Sequence, residues 1–424
     1  GGISAGRALE NPFPAAAFSI LAAQTVPAPA PPRPRGAGVC ARSGGGAIPR
    51  RALLTILSAL LLAAPVAAAA RSQPARSLAL FAAVRLPQVL QAHIRGAALS
   101  GLGSSRTLLA MAAMPEGPEC QKMRLIDTCV NLGDTMFQGV YHGKERHAPD
   151  FELVLKRAEE AGVERFIGVS GSLQDSKESI GVAERYPNIF ATVGVHPTRC
   201  NEFEEDGRDP DAHLEALCAV AQAGGARVVA IGEIGLDYDR EQFCPRDVQQ
   251  RYFEKQLGLA KKLQLPVVFH NRNTSGDFER IVRENRDSFS TGIVHSFTGT
   301  VEEMRGLVEM GLYIGINGCG LRSEELLEMV GQIPADRLVV ETDAPWCSIK
   351  NAHPSSKHVR TMFEEVKKPD KFVEGKMVKD RNEPAQVVQV VEVIAAMRGV
   401  EASEVADQTF RNTLRVLFPN ETAE

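Results

Sequence analysis

Four short apolar runs in the C-terminal three-quarters of the chain each lead to an acid or an imidazole, and this repetition narrows the fold more than any other feature. Val228-Val-Ala-Ile leads to Glu233, Val267-Val-Phe to His270, Gly292-Ile-Val to His295, and Leu338-Val-Val to Asp343. Runs this short, rich in β-branched residues and followed by a helical pattern, are how strands buried on both faces read. A polar residue at the C-terminal lip of successive parallel strands is where a (β/α)8 barrel gathers its chemistry. Two histidines and two carboxylates, with no thiolate, also make a donor set for a divalent cation. Together these features point to a metal-dependent hydrolase.

The count of strands agrees with a closed barrel. From Met123 onward, strand-like runs fall at Arg124–Asp127, Arg165–Ser170 and Ile189–His196. Three more end at Glu233, His270 and His295, the seventh is Leu312–Asn317, and the eighth ends at Asp343. Between them the period becomes helical. Phe151, Val154, Leu155 and Ala158 share one face of a helix over Phe151–Ala161, with Gly162 as its stop. Val248–Leu265 and Val301–Met310 read the same way, the second closed by Gly311. Eight strand–helix units imply a (β/α)8 TIM barrel of the metal-dependent, amidohydrolase-like class. A doubly wound open sheet is the alternative, but no glycine-rich phosphate loop follows the first strand. Helical stretches at Pro384–Arg398 and Ser403–Leu417 are expected to pack outside the barrel.

Composition divides the chain in two. Residues 1–115 hold eleven arginines, no lysine and one acid, Glu10, amid Ala, Pro and Gly. Such a segment has too little patterned apolar surface to fold alone, so a disordered extension over 1–115 and a globular domain over 116–424 are expected. Within the extension, Arg50-Arg51 precedes an apolar run over 52–70. That pattern has two readings: an import signal for a chloroplast or mitochondrion, or translated sequence upstream of a start at Met111, Met114 or Met123. The second reading leaves a cytoplasmic or nuclear protein.

Removing the extension's +10 from the whole-chain charge of −4 leaves −14 on residues 116–424. A protein that coats nucleic acid electrostatically carries a basic face instead. Any nucleic-acid chemistry is therefore local, through a cation and a few basic groups. Cysteines stand at Cys40, Cys120, Cys129, Cys200, Cys218, Cys244, Cys319 and Cys347 with no C-x-x-C pair, and are expected as isolated reduced thiols.

Five ordered motifs carry a family resemblance: Gly194-Val-His-Pro197, Gly232-Glu-Ile-Gly-Leu-Asp237, His295-Ser-Phe-Thr-Gly299, Glu341-Thr-Asp-Ala-Pro345 and Arg381-Asn-Glu-Pro384. In order and spacing, over roughly residues 123–418, they resemble the TatD family of metal-dependent deoxyribonucleases. Asp127 to Lys144 looks most like the family's eukaryotic branch. The resemblance implies that Glu233, His270 and His295 bind a divalent metal, with Asp343 a further ligand or the base for the attacking water. It implies that His196 contacts the scissile phosphate or assists proton transfer. Arg272, next to a ligand, is suited to pair a phosphate oxygen. Magnesium is the leading cofactor candidate, with manganese and zinc as alternatives. The expected partner is DNA, or RNA, trimmed 3′→5′ at single strands or exposed ends. Phe137 and Tyr141, in the loop after the first strand, are candidates for stacking on unpaired bases.

One segment departs from related barrels. They open with D-x-H-x-H, whereas this chain has Asp127-Thr-Cys-Val-Asn131, a departure shared by the TatD branch. Asp127 remains as a candidate ligand, and one metal site is better founded than two. The same barrel and ligands also suit ester or amide hydrolysis, for example deacylation of aminoacyl-tRNA. A non-catalytic scaffold is the third reading.

Overall fold

Alternate residues along the strands bury on opposite sides. Leu125, Phe166, Val228, Val267, Val294 and Leu338 join one apolar cluster, while their chain neighbours Ile126, Ile167, Val229, Val268, Ile293 and Val339 join another. A strand that buries both faces in this way needs packing partners on both. A barrel supplies them with helices outside and the remaining strands inside. Each fully buried aliphatic side chain on these strands contributes about 1.5–3 kcal/mol.

The computed structural model describes residues 122–421. The extension expected over 1–115, and its import-signal reading, lie outside the described residues. Eight parallel strands follow one another in chain order. They are β1 (Leu125–Val130), β2 (Val163–Gly168), β3 (Ile189–Val193), β4 (Val228–Asp237), β5 (Val267–Arg272), β6 (Gly292–Val294), β7 (Tyr313–Ile316) and β8 (Leu338–Val340). A parallel bridge between Val130 and Ala344 joins the last strand to the first. There the Asp343 N–H donates to the Cys129 carbonyl at 2.9 Å and the Asn131 N–H to the Ala344 carbonyl at 2.8 Å. The (β/α)8 barrel expected from the strand count is the observed fold.

The connecting helices are α1 (Phe151–Ala161), α2 (Leu173–Arg185), α3 (Pro210–Gly224), α4 (Arg246–Leu263), α5 (Asp277–Glu284), α6 (Val301–Glu309) and α7 (Glu324–Gln332). Helix α1 ends at Gly162 in the left-handed conformation, as its sequence implies. Thr300 and Glu303 close a capping box at the start of α6. Two further helices, α8 (Val387–Arg398) and α9 (Ala402–Leu417), follow the barrel. Phe410 and Leu414 of α9 belong to the same cluster as Ile126 and Val339. Among the described residues, no helix is long and apolar enough to cross a membrane.

The motif Arg381-Asn-Glu is structural. Arg381, fully buried, meets both Asp150 oxygens at 2.7 and 2.6 Å and Glu383 at 2.7 Å. Arg157 closes on Glu383 at 2.8 Å. Arg381 also donates to the Met136 carbonyl at 3.0 Å, and Asn382 to the carbonyls of Thr342 and Trp346 at 2.9 and 2.7 Å. The network thus holds the loops after β1 and β8 that frame one side of the barrel's lip.

Phe137 and Tyr141 are not the stacking platform expected of that first loop. Phe137 has no exposed surface and lies beneath the Arg381 guanidinium, and Tyr141 is buried with Val366 and Val378. Their aromatic area goes into fixing the loop, which leaves them no face for a base.

Candidate metal centre

Strand β4 does not stop at Glu233. It runs four residues further, with an extra residue opposite β5 between Ile231 and Ile234. A bulge of this kind re-aims side chains at a strand end. Gly235 pairs with His270 across the strands, and any Cβ there would overlap the His270 carbonyl oxygen. Its φ of 149° is likewise one that side-chain-bearing residues rarely adopt. The second glycine of the motif therefore lets β4 and β5 approach closely enough to bring Glu233 against His270.

Four expected residues converge here. Glu233 Oε1 lies 2.5 Å from His270 Nδ1, 2.7 Å from His295 Nε2 and 3.6 Å from His196 Nε2. His295 Nε2 and His270 Nδ1 are 3.4 Å apart. Glu233, His270 and His295 are all buried. The far nitrogen of His270 meets Asp237 Oδ2 at 3.1 Å. With its proton held there, His270 turns a lone pair on Nδ1 toward a carboxylate oxygen and a second imidazole. Three donor atoms crowded on one point, with no proton shared among all of them, fit a cation.

Two buried polar atoms without hydrogen-bond partners, Asp237 Oδ1 and His295 Nδ1, add to that fit. Among the described residues, three groups of ligating atoms lie close enough to hold an ion: Glu233 with His270 and His295, His196 with Asp237 and His270, and Cys129 with His295 and Asp343. His270 and His295 each belong to two of them.

The electrostatics follow the same geometry. Burial opposes a charge on Glu233, but the neighbouring His295 imidazole outweighs it and holds the carboxyl well below the usual range. Burial likewise opposes ionisation of Asp237, yet His270 and Arg272 hold it down at about 2. For His196, burial and the neighbouring His270 push the imidazole down to about 3, so it is neutral near pH 7. The Thr198 N–H donates to His196 Nδ1 at 3.2 Å, which leaves the ring proton on Nε2, facing the centre. Burial raises the Asp343 carboxyl, and Glu233 and Glu341 add to that against His295.

Asp343 stands at φ 54°, an uncommon conformation for a residue with a side chain. Asn131 donates to its Oδ1 at 2.9 Å and the Cys347 thiol lies 3.2 Å from its Oδ2. The two residues in place of the D-x-H-x-H histidines thus have separate positions. Cys129 is a potential donor, and Asn131 orients Asp343. Arg272 Nη1 lies 3.6 Å from Asp237 Oδ2, with about a third of its side chain exposed.

Asp127 belongs to none of the three donor groups. The Thr342 N–H donates to its Oδ1 at 2.9 Å and the Thr342 hydroxyl to its Oδ2 at 2.5 Å, which spends both oxygens on joining β1 to the end of β8. Burial, only partly offset by those bonds, pushes its carboxyl up to about 8. A carboxyl raised on folding contributes stability below the unfolded value of about 4, and this is lost as pH rises toward 8. Asp127→Asn is expected to flatten that decline in urea titrations between pH 4 and 8. Cation affinity should stay within about threefold, whereas loss of a ligand would cost far more.

The residue that the strand pattern should have exposed is Asp237. It lies four positions after Glu233 in one extended strand, where even spacings face the same side. The expectation that thiols stand isolated is also corrected, because Cys319 and Cys347 lie side by side with sulfurs 2.6 Å apart.

Comparison with known proteins identifies the family of the chain. The profile of the family described as TatD related DNase matches residues 126–418. A relative from Schizosaccharomyces pombe, named deoxyribonuclease Tat-D, is 39% identical over 302 residues, 70% of this chain and 96% of its own. A relative from Salmonella typhimurium, named 3′-5′ ssDNA/RNA exonuclease TatD, is 33% identical over 297 residues, 69% of this chain and 98% of its own. The solved structure of a TatD family hydrolase from Entamoeba histolytica is 35% identical with a TM-score of 0.66, over 70% of this chain and 99% of that one. The chain belongs to the TatD-related DNase family of ester-bond hydrolases.

Proposed function

We propose that the protein is a divalent-metal-dependent deoxyribonuclease that trims single-stranded or end-exposed DNA from the 3′ end. The observation that carries the reading is the meeting of Glu233, His270 and His295 at 2.5–3.4 Å, with the partly exposed guanidinium groups of Arg272 and Arg240 alongside. Glu233, His270 and His295 would hold the cation, with His196, Asp237, Cys129 and Asp343 within the adjoining donor groups. A cation bound there supplies Lewis acidity toward a phosphoryl oxygen and makes a neighbouring water a stronger acid.

The remaining steps fall to the chain itself. Asp343 accepts the proton of the attacking water at a carboxylate oxygen, and its raised affinity for a proton suits that task. His196, neutral and protonated on Nε2, donates to the phosphate as negative charge develops on it. Arg272 lies near Asp237 at 3.6 Å and Arg240 at 3.9 Å, and their guanidinium groups are suited to pair the phosphate oxygens. Asp237 orients His270 through the ring nitrogen that faces away from Glu233, an arrangement typical of metal-ligating histidines.

The −14 charge on residues 116–424 supports action at strand ends over gripping of long duplex. The name of the Salmonella relative points the same way. Magnesium is the leading cation for the oxygen-rich part of the donor set, and Cys129 favours zinc.

Full-length protein incubated with 3′- and 5′-labelled single-stranded DNA tests this. With magnesium or manganese, the 3′ label should leave first as mononucleotide and the 5′-labelled strand should shorten progressively. Rapid nicking of closed circular DNA without end trimming would contradict the exonuclease reading. Cleavage of carboxylic esters alone would transfer the site to ester or amide hydrolysis.

A further inference from the structure

Cys319 and Cys347 lie outside the roles assigned above, yet they stand at the same lip. Cys319 is in the turn Gly318–Leu321 after β7, and Cys347 follows Asp343 by four residues in the loop after β8. Their sulfurs are 2.6 Å apart, both thiols are free, and both residues are partly exposed. The two loops are tightly packed, since a Cβ on Gly318 would overlap the Cys347 carbonyl oxygen. The pair is therefore held in register by backbone as well as by side chains. Cys347 also donates its S–H to Asp343 Oδ2 at 3.2 Å, which links the pair to the carboxylate expected to accept the water proton.

We propose that Cys319 and Cys347 are a thiol modification site, which a hydroperoxide converts into a reversible disulfide that withdraws the Cys347 thiol from Asp343 and slows hydrolysis. The effect on rate rests on the role given to Asp343 in the proposed function. Cys319 is the attacking sulfur. Proximity to the Cys347 thiol, with Arg322 and Arg272 nearby, outweighs burial and favours the thiolate.

The thiolate attacks the peroxide, forming an S–O bond as the O–O bond breaks and water or an alcohol leaves. The Cys347 sulfur then attacks the Cys319 sulfur. The S–S bond forms, the S–O bond breaks, and the hydroxide leaves as water with the thiol proton. Two electrons pass from the pair to the peroxide, and exchange with a dithiol returns both thiols. In the disulfide, Asp343 keeps Asn131 but loses its second donor, and the loops after β7 and β8 become covalently joined.

The test uses the full chain, reduced or treated with hydrogen peroxide and then freed of it. Mass spectrometry of an unreduced digest should find the Cys319 and Cys347 peptides linked. Cleavage should fall about tenfold, the scale of losing one hydrogen bond to a charged group, and return with dithiothreitol. Cys319→Ser should keep the basal rate and lose the sensitivity to peroxide. Absence of the linked peptide would overturn the proposal, as would a linked protein of unchanged rate or a Cys319→Ser variant that remains equally sensitive. If the reduced chain cleaves no phosphodiester, the same comparison with a carboxylic ester judges the thiol pair separately from the substrate class.

Discussion

Glu233→Gln is expected to lower metal-dependent cleavage by about a thousandfold or more while the fold persists. The substitution keeps the shape of the side chain and replaces the charged carboxylate with a neutral amide. Glu233 Oε1 is the atom shared by the three imidazoles, at 2.5 Å from His270, 2.7 Å from His295 and 3.6 Å from His196. Changes to groups that merely support a metal ligand cost about 10–100-fold, so losing a carboxylate at the meeting point of the donors should cost more. Rates measured under saturating magnesium and manganese, beside a thermal melt, check this. A variant that melts like the parent and cleaves within tenfold of it would remove Glu233 from the centre.

Arg381→Met should have the largest effect on stability. Its guanidinium has no exposure and makes four close contacts, two to Asp150, one to Glu383 and one to the Met136 carbonyl. Methionine fills much of the volume but leaves two fully buried carboxylates with Arg157 as their remaining cationic partner, at 2.8 Å from Glu383 and 3.6 Å from Asp150. Breaking a buried charge network from one side costs about 3–5 kcal/mol. For a domain of this size that is a fall in melting temperature of about 10 °C. Arg381→Lys should recover little, because one ammonium cannot replace a planar fork that meets both Asp150 oxygens. A melt within 2 °C of the parent for Arg381→Met would show that the network stabilises little, about 1 kcal/mol or less.

The barrel was legible because both of its signals are local. Eight β-branched runs with helical spacing between them need no knowledge of distant contacts, and Glu233, His270, His295 and Asp343 each mark the end of one run. Strand limits were less legible. Strand β8 ends at Val340, three residues before Asp343, while β4 continues to Asp237. Ending the fourth strand at Glu233 hid Asp237, although the even spacing of 233, 235 and 237 carries that information.

Contacts across long stretches of chain were not legible. Arg381 finds Asp150 across 231 residues, and Asp127 finds Thr342 across 215. Only the closed barrel brings such partners together, so the Thr342 bonds to Asp127 and the task of Arg381-Asn-Glu do not show in the sequence. Phe137 and Tyr141 show the same limit. An aromatic residue in a loop has one composition whether it meets a base or, as here, packs beneath Arg381 or against Val366.

The central claim is that Glu233, His270 and His295 form a divalent-cation site at the barrel's lip. Its most direct test is calorimetric titration of chelator-treated, full-length protein with manganese, beside Glu233→Gln. The account predicts saturable binding of at least one cation per chain, weakened at least about 100-fold in the variant. No saturable binding by the folded parent, or equal affinity in the two proteins, would contradict it.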